Sequence, residues 1–544
     1  MKSRISFCNP TALRKDITRF APVWVLYSVF LLLCNLAIAN EPFYLARDMG
    51  TFSQAVTIAQ CGYAFLTAQV LFGDLYSSRM CNSLHALPLR RETWFFTHVL
   101  SGLLFALVPN LGISILLAIQ LSELWITAVY FFLMTAMGYL FFFGLAVLCV
   151  MCVGSRFAMT VVYAIANLLS ILAYWLISTV YLPILRGVEM DFELFRLTCP
   201  VVAFGSEEMI DCVLPAGWRY GADLSRIRIL FHWEYSAVCA ALGIAMGALG
   251  LALYRRRHLE SAGDFIVVRP IAPVFLVLYT LAVGAVLQAF GDLFDSLEWI
   301  FLGTGVAVGY FTGLMLLKRK VRVFSKKAFA GFAVLVGTLA LSLAVTVWDP
   351  AGITTWVPER EQVKAVCIHP QYFHNTSRCD MDDPVVIESV IAAHQEIVKN
   401  EKAGGGVCCR LTICYTLVDG RQVTRQYEIP ERTKAAELVK DVFSSPECLF
   451  GKYLGTAEEM AKQIVSINLG NGSLLQGPEL VPFMEAVLLD AQEGHISAAS
   501  FFGGWSDYLY IQTRDSELEI FVGENAVHTR RWLEEHPSDD MGIK

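Results

Sequence analysis

Nine separate stretches of about 20 largely apolar residues occupy the first two-thirds of the chain. A helix rises about 1.5 Å per residue, so roughly 20 residues are needed to cross about 30 Å of hydrocarbon. We therefore predict nine transmembrane helices. They lie near residues 21–39, 55–72, 94–117, 126–152, 157–182, 233–254, 271–290, 297–317 and 328–347.

The overall composition supports a membrane protein. Hydrophobic residues make up 56% of the chain, only 17% are charged, and the mean hydropathy is +0.52. So much apolar surface needs lipid as its solvent, which excludes a water-soluble enzyme with one apolar patch. A cleavable leader is the alternative for the first stretch, because Ala37 and Ala39 form an A-x-A site. The apolar run is of full span length and the leader would be unusually long, so we expect a span.

The distribution of basic residues predicts the orientation. Lysines and arginines close to spans are retained on the cytoplasmic side of a membrane, whereas acidic residues contribute little. Alternate loops contain 19 and 6 basic residues, and the richer set includes the N-terminus. We therefore expect a cytoplasmic N-terminus, and an odd number of spans then places the segment 349–544 outside.

That C-terminal segment reads as a soluble α+β domain. Its 17 basic and 30 acidic residues give a net charge of −13, so it repels anionic partners such as nucleic acid, or is simply well solvated. A strand is expected at 363–369 and an amphipathic helix at 384–402. Hairpins are expected around Asp419 and Gly420 and between 507–513 and 517–522. Thr456 with Glu459 predicts a capping box, and Pro478 with Glu479 a further helix start.

Cysteine positions leave two interpretations open. Eight of the 15 cysteines lie in segments that we expect outside the membrane, where disulfides form. Cys199 and Cys212 could close a short loop, and free buried thiols are the alternative. Cys149 and Cys152 have metal-motif spacing, but they lie in an apolar span without a second pair. We expect them to pack in the core.

No catalytic motif is present. Charged or titratable residues near the spans, such as His98, lie at span ends, where headgroup contact explains them. There is no H-E-x-x-H and no G-x-S-x-G, and Gly451 with Lys452 lacks the rest of a phosphate-binding loop. We expect no catalytic residue, no metal ligand and no cofactor on this chain, and any ATP hydrolysis must occur on another polypeptide.

The most diagnostic stretch lies between the second and third spans, where residues 77–94 read SSRMCNSLHALPLRRETW. It resembles ABC-2-type exporter permeases of Gram-positive, especially clostridial, bacteria: an Arg, then Leu-His-x-Leu-Pro-Leu-x-Arg, then the next span. The resemblance implies that this loop carries a coupling helix that docks on a separate ATPase subunit. It assigns that contact to Arg79, Leu84, His85, Leu87, Pro88 and Arg91. A loop that merely anchors to the membrane is the alternative.

Two further segments are similar to the same family. Residues 255–264 match the R-x-x-E-x-A-G segment after the sixth span, which assigns a cytoplasmic motif to Arg257, Glu260, Ala262 and Gly263. Residues 7–20 mix apolar and basic side chains, as expected for an interfacial helix on the cytoplasmic face. The resemblance covers about residues 1–268, and a hairpin of the C-terminal segment also resembles the enlarged members.

These expectations combine into an all-α polytopic membrane protein with about nine transmembrane helices, followed by an extracytoplasmic α+β domain. The divisions are an interfacial helix 1–20, a six-span permease domain 21–254 with outer loop 183–232, a cytoplasmic linker 255–269, three additional spans 270–348 and the domain 349–544. The resemblance implies a non-catalytic exporter permease in the bacterial plasma membrane, working as a homo- or heterodimer, with ATP and Mg on the partner ATPase. The alternative is a membrane sensor or assembly protein whose external domain binds a ligand.

Overall fold

A computed structural model describes residues 8–37, 48–85, 90–121, 124–190, 192–206, 209–213, 227–257, 263–291, 298–370, 378–399, 407–430, 433–469, 474–497, 507–513, 517–523 and 525–536. The chain forms two compact units. The first contains residues 1–177 and 191–339, and the second contains residues 178–190 and 340–544.

The first unit is built almost entirely of helices. Its elements in chain order are α1 Pro10–Arg19, α2 Ala21–Ala37, α3 Met49–Leu71, α4 Ser78–His85, α5 Arg91–Leu121, α6 Ile126–Cys152, α7 Arg156–Val180, α8 Phe192–Thr198, α9 Pro200–Ser206, β2 Ile210–Val213, β3 Arg228–Phe231, α10 Trp233–Arg256, α11 Ile271–Gly291, α12 Glu298–Lys318 and α13 Lys326–Trp348. Strand β1 (Gly187–Val188) lies between α7 and α8 in the sequence and belongs to the second unit. The ends of α7 and α13 belong to the second unit.

Seven of the described helices are long and apolar enough to cross a membrane: α5, α6, α7, α10, α11, α12 and α13. Helices α1 and α2 are bent by 61° at Phe20 and would make an eighth span if they count as one. The predicted second span is the 23-residue helix α3, which does not reach the same hydropathy because Gln54, Gln60 and Gln69 interrupt its apolar sequence. The helices are those of a multi-pass membrane protein, and the count of nine stays a prediction.

Helix α6 forms the centre of the first unit and packs against α3, α5 and α10. Its contact with α10 is closest at two glycines. A Cβ atom on Gly144 would overlap the main chain of Gly243, and one on Gly243 would overlap the main chain of Leu140. Small residues let helix backbones approach closely where lipid gives no hydrophobic drive for association. The pattern recurs between α11 and α12, where Gly284 and Gly305 meet.

The second unit contains two antiparallel five-stranded sheets in the orders β1-β7-β6-β4-β5 and β10-β12-β11-β8-β9. The strands of the C-terminal segment are β4 Val363–Pro370, β5 Arg378–Met381, β6 Val407–Leu417, β7 Gln422–Pro430, β8 Ile464–Asn468, β9 Leu474–Leu475, β10 Ile496–Ser497, β11 Asp507–Thr513 and β12 Glu517–Val522. The helices are α14 Pro384–Lys399, α15 Lys434–Ser444, α16 Pro446–Phe450, α17 Ala457–Gln463, α18 Leu480–Gln492 and α19 Val527–Glu535. Helices and sheets share one apolar core.

Local signals in the C-terminal segment are confirmed. Gly420 has φ of +86° in the turn between β6 and β7, a conformation that glycine adopts without strain. Thr456 and Glu459 form the reciprocal capping box at the start of α17. Strands β11 and β12 pair as a hairpin. The fold of this segment is α+β, as its patterns predict.

The boundary of the second unit differs from the sequence-based division. That division places residues 178–190 at the end of a span and in the outer loop 183–232 of the permease domain, but they cluster with the C-terminal segment. The reason is strand β1, which extends the first sheet by pairing with β7, with Gly187 opposite Gln426. A two-residue strand carries no periodicity that a sequence could reveal.

Candidate functional site

The predicted coupling loop contains the short helix α4. Arg79 lies on this helix with its side chain exposed, and the backbone of Leu84 and His85 continues it to its end. The side chains of Leu84 and His85, and the whole of Leu87 and Pro88, lie outside the described residues. Arg91 begins α5 and is half-buried. The assignment of these residues to an ATPase contact stays a prediction.

Arg257 connects this loop to the ends of two long helices. Its side chain is only 8% exposed and donates hydrogen bonds to the main-chain carbonyls of Val150 (2.8 Å), Met151 (3.3 Å) and Leu75 (3.3 Å). Val150 and Met151 belong to the last turn of α6, whose carbonyls have no intrahelical donor. Leu75 lies just before α4. The guanidinium therefore caps α6 and holds the entrance to α4 against it.

Arg91, near the other end of the loop, also contacts Arg257. Its Nη1 donates to the main-chain carbonyl of Arg257 at 3.1 Å. Near the end of α10, Arg255 pairs with Glu92 at 3.0 Å, and the two side chains are 55% and 40% exposed. Two residues that the family resemblance assigns to different motifs, Arg91 and Arg257, are thus in direct contact. We call Leu75, Arg91, Val150, Met151 and Arg257 the arginine cluster.

Gly263 lies in a short pairing of two loops beside this end of the bundle. Its amide donates to the carbonyl of Gly154 at 2.7 Å, and the amide of Gly154 donates to the carbonyl of Asp264 at 2.9 Å. Val153 and Ile266 continue the pairing as an antiparallel bridge. The φ of Gly263 is +96°, which side chains of L-residues rarely tolerate. Glu260 and Ala262 lie outside the described residues.

Helix α1, which the sequence predicts to be interfacial, is held by a buried carboxylate. Asp16 and His98 are each 6% exposed, and Asp16 Oδ2 lies 2.8 Å from His98 Nδ1. The same oxygen accepts a hydrogen bond from the hydroxyl of Ser101 at 2.9 Å. The interpretation of His98 as a residue explained by headgroup contact is therefore wrong, because α1 covers it. His98 and Ser101 both contact the carboxylate, so the arrangement is a structural clamp between α1 and α5.

A second polar network lies deeper in the bundle, and the sequence analysis does not predict it. The hydroxyl of Tyr27 donates to Asn110 Oδ1 at 2.8 Å and accepts from Gln60 Nε2 at 2.8 Å. Tyr63, stacked on Tyr27 with centroids 4.0 Å apart, donates to the carbonyl of Phe105 at 3.0 Å. The glutamines and asparagine in the apolar stretches are the signal that could have found it. The hydrogen bonds of these side chains join α2, α3 and α5. We call Tyr27, Gln60, Tyr63 and Asn110 the polar seam.

The carbonyl of Phe105 lacks the donor that a helix normally supplies. Residue 109 on α5 is a proline, and proline has no N–H to donate to the carbonyl four residues earlier. In a membrane an unsatisfied carbonyl costs several kcal/mol, so another group must replace the missing donor. The hydroxyl of Tyr63 does so.

The cysteines of the structure differ from the predicted pairing. Cys199 is a free, buried thiol that donates to the carbonyl of Asn167 at 3.1 Å, so the structure contains no Cys199–Cys212 disulfide. The side chain of Cys212 lies outside the described residues. Cys149 and Cys152 are free and buried in the core, as expected. Cys367 on β4 is disulfide-bonded.

In the second unit, His394 of α14 is completely buried between two tyrosines. Its Nδ1 lies 3.0 Å from the hydroxyl of Tyr415, and its Nε2 lies 2.8 Å from the hydroxyl of Tyr427. Burial, with a contribution from the positive charge of Arg425, lowers the pKa of His394 to about 4. Burial also raises the pKa of Tyr415 well above its usual value. The imidazole is therefore neutral near pH 7 and serves the packing of α14 on the sheet.

Asp490, Glu493 and His528 form a described group whose ligand atoms all lie within 4.8 Å of one another and could hold a cation. Asp490, however, is already engaged. Its oxygens accept the amides of His528 (3.2 Å) and Thr529 (2.6 Å) at the start of α19. A buried carboxylate at a helix start is fully explained as a cap.

Comparison with known proteins gives no relative: no family model, no curated protein and no solved structure matches this chain.

Proposed function

We propose that this chain is the membrane-spanning subunit of an ATP-driven exporter, similar to ABC-2-type permeases. A separate cytoplasmic ATPase binds ATP and Mg and acts on the loop 75–94. The permease works as a homo- or heterodimer in the plasma membrane and itself catalyses no reaction. Movement of α4 changes the packing of the long helices and opens a path outward.

The observation that carries this proposal is the arginine cluster. A push on α4 needs a rigid connection to the transmembrane helices if it is to alter their packing. Arg257 supplies one at the entrance to α4 through Leu75, and Arg91 supplies another at the start of α5. Both connections join the loop to Arg257, the residue that follows α10. The side chain of Arg257 also bonds to the end of α6. A loop that only anchored the chain to lipid would not need a buried arginine bonded to its start and a half-buried, hydrogen-bonded arginine at its end.

The disulfide at Cys367 supports the proposed orientation. Structural disulfides persist in oxidising compartments and are rare in the cytosol. A C-terminal segment outside the cell agrees with the excess of basic residues in the loops that we place inside. The acidic surface of that segment also disfavours contact with anionic lipid headgroups or nucleic acid.

The decisive experiment is affinity purification of the tagged, full-length chain from its own host. We expect an ATPase with a Walker motif to co-purify in stoichiometric amount and to hydrolyse ATP in lipid nanodiscs. Arg79→Glu, on the exposed face of α4, should abolish the association. Arg322→Glu, an exposed arginine between α12 and α13, is the matched control and should leave it intact. Co-purification of a histidine kinase instead would favour the sensor, and recovery of the chain alone would contradict export.

Orientation can be tested on intact cells with a membrane-impermeant maleimide. Cys81 is buried and therefore unsuited, so the label sites are Ser83→Cys on α4 and Val418→Cys, whose native side chain is 67% exposed. We expect Val418→Cys to react in intact cells and Ser83→Cys only after permeabilisation. The reverse pattern would refute the proposed topology.

A further inference from the structure

A cavity of about 690 Å³ opens beside the β6–β7 turn of the second unit. Its apolar wall includes Trp356, Leu417 and Val423, and its charged groups are Glu361, Asp419, Arg421 and Arg425. This volume is in the range of pockets that hold small molecules. The cavity thus combines an apolar surface with a few polar groups, which is the usual composition of a binding site.

Arg425 is the unusual member of this cavity. It lies within β7 opposite Ile413, on the face of the sheet that packs into the core, and is only 7% exposed. Its guanidinium lies over the ring of Trp356, 5.4 Å from the centroid. The buried Nε has no hydrogen-bond partner, and no carboxylate within the described residues forms an ion pair with Arg425. A buried cation without a counterion is costly, so the position calls for an anion.

The neighbouring carboxylates form no ion pair with Arg425, although hydrogen bonds from Thr354 and Ile353 and the positive charge of Arg425 together lower the pKa of Asp349. Asp419 pairs with Arg421 at 2.7 Å. Asp349 accepts two amides, from Ile353 and Thr354, and the hydroxyl of Thr354. Glu361 is exposed at the rim and solvated. Arg421 and Asp419 form an ion pair with each other, so Arg425 is the cation of the cavity without an ion-pair partner among the described residues.

We propose that this cavity binds a small monocarboxylate with an apolar body. The carboxylate would pair with the guanidinium of Arg425, whose planar fork matches a carboxylate in a bidentate manner. The apolar body would cover Trp356 and Val423. A dianion such as a phosphate monoester fits less well, because Glu361 and Asp419 lie in the same cavity and the surrounding domain is acidic. This site goes beyond export and does not depend on it.

The test uses purified, full-length chain in detergent and fluorine NMR of two probes, 4-trifluoromethylphenylacetate and its neutral amide. We expect the acid to bind saturably and the amide to bind at least about tenfold more weakly, since only the acid can form charge-assisted hydrogen bonds with the guanidinium. Arg425→Met should weaken binding of the acid by at least about tenfold. Arg410→Met is the matched control, because Arg410 is exposed on β6, pairs with Glu428 and does not line the cavity.

Trp356→Leu provides a second variant that leaves the buried charge in place, and should weaken both probes equally through lost contact with the apolar body. 4-Trifluoromethylphenyl phosphate serves as the dianionic comparison and should bind more weakly than the acid. The proposal is overturned if acid and amide bind alike, if either Arg425→Met or Trp356→Leu leaves the affinity of the acid unchanged, if the phosphate binds more tightly, or if the acid shows no saturable binding up to about 10 mM.

Discussion

Arg91 donates a hydrogen bond to the main-chain carbonyl of Arg257, a residue 166 positions further along the chain. The acceptor is the residue that follows α10, and the side chain of that same residue caps α6. Leu75 at the start of the loop and Arg91 near its end are therefore joined to the ends of both helices by short, directed contacts. Packing alone would allow these two residues to slide, whereas the hydrogen bonds fix the positions of Leu75 and Arg91.

Replacing Arg257 by methionine should destabilise the first unit. The change removes the donors for three main-chain carbonyls, two of which end α6, and should lower the free energy of unfolding by about 2–4 kcal/mol. Thermal unfolding in detergent measures this. The control Arg256→Met removes an exposed arginine from the same turn, and its effect should stay within about 0.5 kcal/mol. Equal effects of the two variants would contradict a capping role for Arg257.

Asp16→Asn should loosen helix α1. One oxygen of the buried carboxylate accepts from both His98 and Ser101, and the uncharged oxygen of an amide is a weaker acceptor for both bonds. We expect a loss of about 1–3 kcal/mol, seen as faster hydrogen–deuterium exchange of the amides of α1. Lys15→Gln, next to it but exposed, should leave exchange unchanged. Unchanged exchange in Asp16→Asn would mean that α1 is held by its apolar contacts instead.

Tyr63 and Pro109 should be energetically coupled. In the native protein Tyr63→Phe leaves the carbonyl of Phe105 without a donor, which costs about 1–3 kcal/mol. Pro109→Ala restores the N–H that belongs to that carbonyl, so Tyr63→Phe should cost clearly less in this background. A double-mutant cycle from thermal unfolding gives the coupling energy. Additive effects of the two substitutions would show that Tyr63 does not replace the missing helical donor.

Sequence analysis performs best where structure is decided locally. Long apolar stretches become helices because hydropathy is a property of consecutive residues, and the Asp419-Gly420 turn forms because glycine reaches positive φ by itself. Helix α3 shows the limit. Its three glutamines lower its hydropathy, and one of them, Gln60, bonds to Tyr27 in the polar seam.

The contacts that sequence analysis misses join residues far apart in the chain. Asp16 and His98 are separated by 82 positions, and neither has a pattern that names the other. The partners of Arg257 are main-chain carbonyls, which every residue possesses, so a motif can identify the arginine but never its acceptors. The lack of an ion pair at Arg425 depends on where the nearby carboxylates form their own bonds. Only three-dimensional placement reveals that.

The second unit should lose stability in mild acid because of His394. Its pKa is lowered to about 4 in the folded state, below the usual 6.5, so between these values only the unfolded chain binds the proton. Stability contributed by the neutral imidazole is complete above pH 6.5 and falls as the pH drops toward 4, by up to about 3 kcal/mol. Hydrogen exchange of β6 and β7 should report this loss. His394→Gln, which cannot titrate, should remove this part of the pH dependence, and an unchanged profile would assign it to other groups.

Two glycines on α10 should respond to alanine with opposite signs. A methyl group on Gly243 would overlap the main chain of Leu140 on α6, so Gly243→Ala must separate the helices and should destabilise the bundle by about 1–3 kcal/mol. Gly247, one turn later, has open space where a methyl group would lie, with nothing within 4 Å, so Gly247→Ala should gain about 0.5–1 kcal/mol from helix propensity. Thermal unfolding of the two variants in the same detergent gives the comparison. If both substitutions stabilise the protein, the close contact of α6 with α10 does not exist in the membrane, and if both destabilise it, α10 uses a wider face for packing than Gly243 alone.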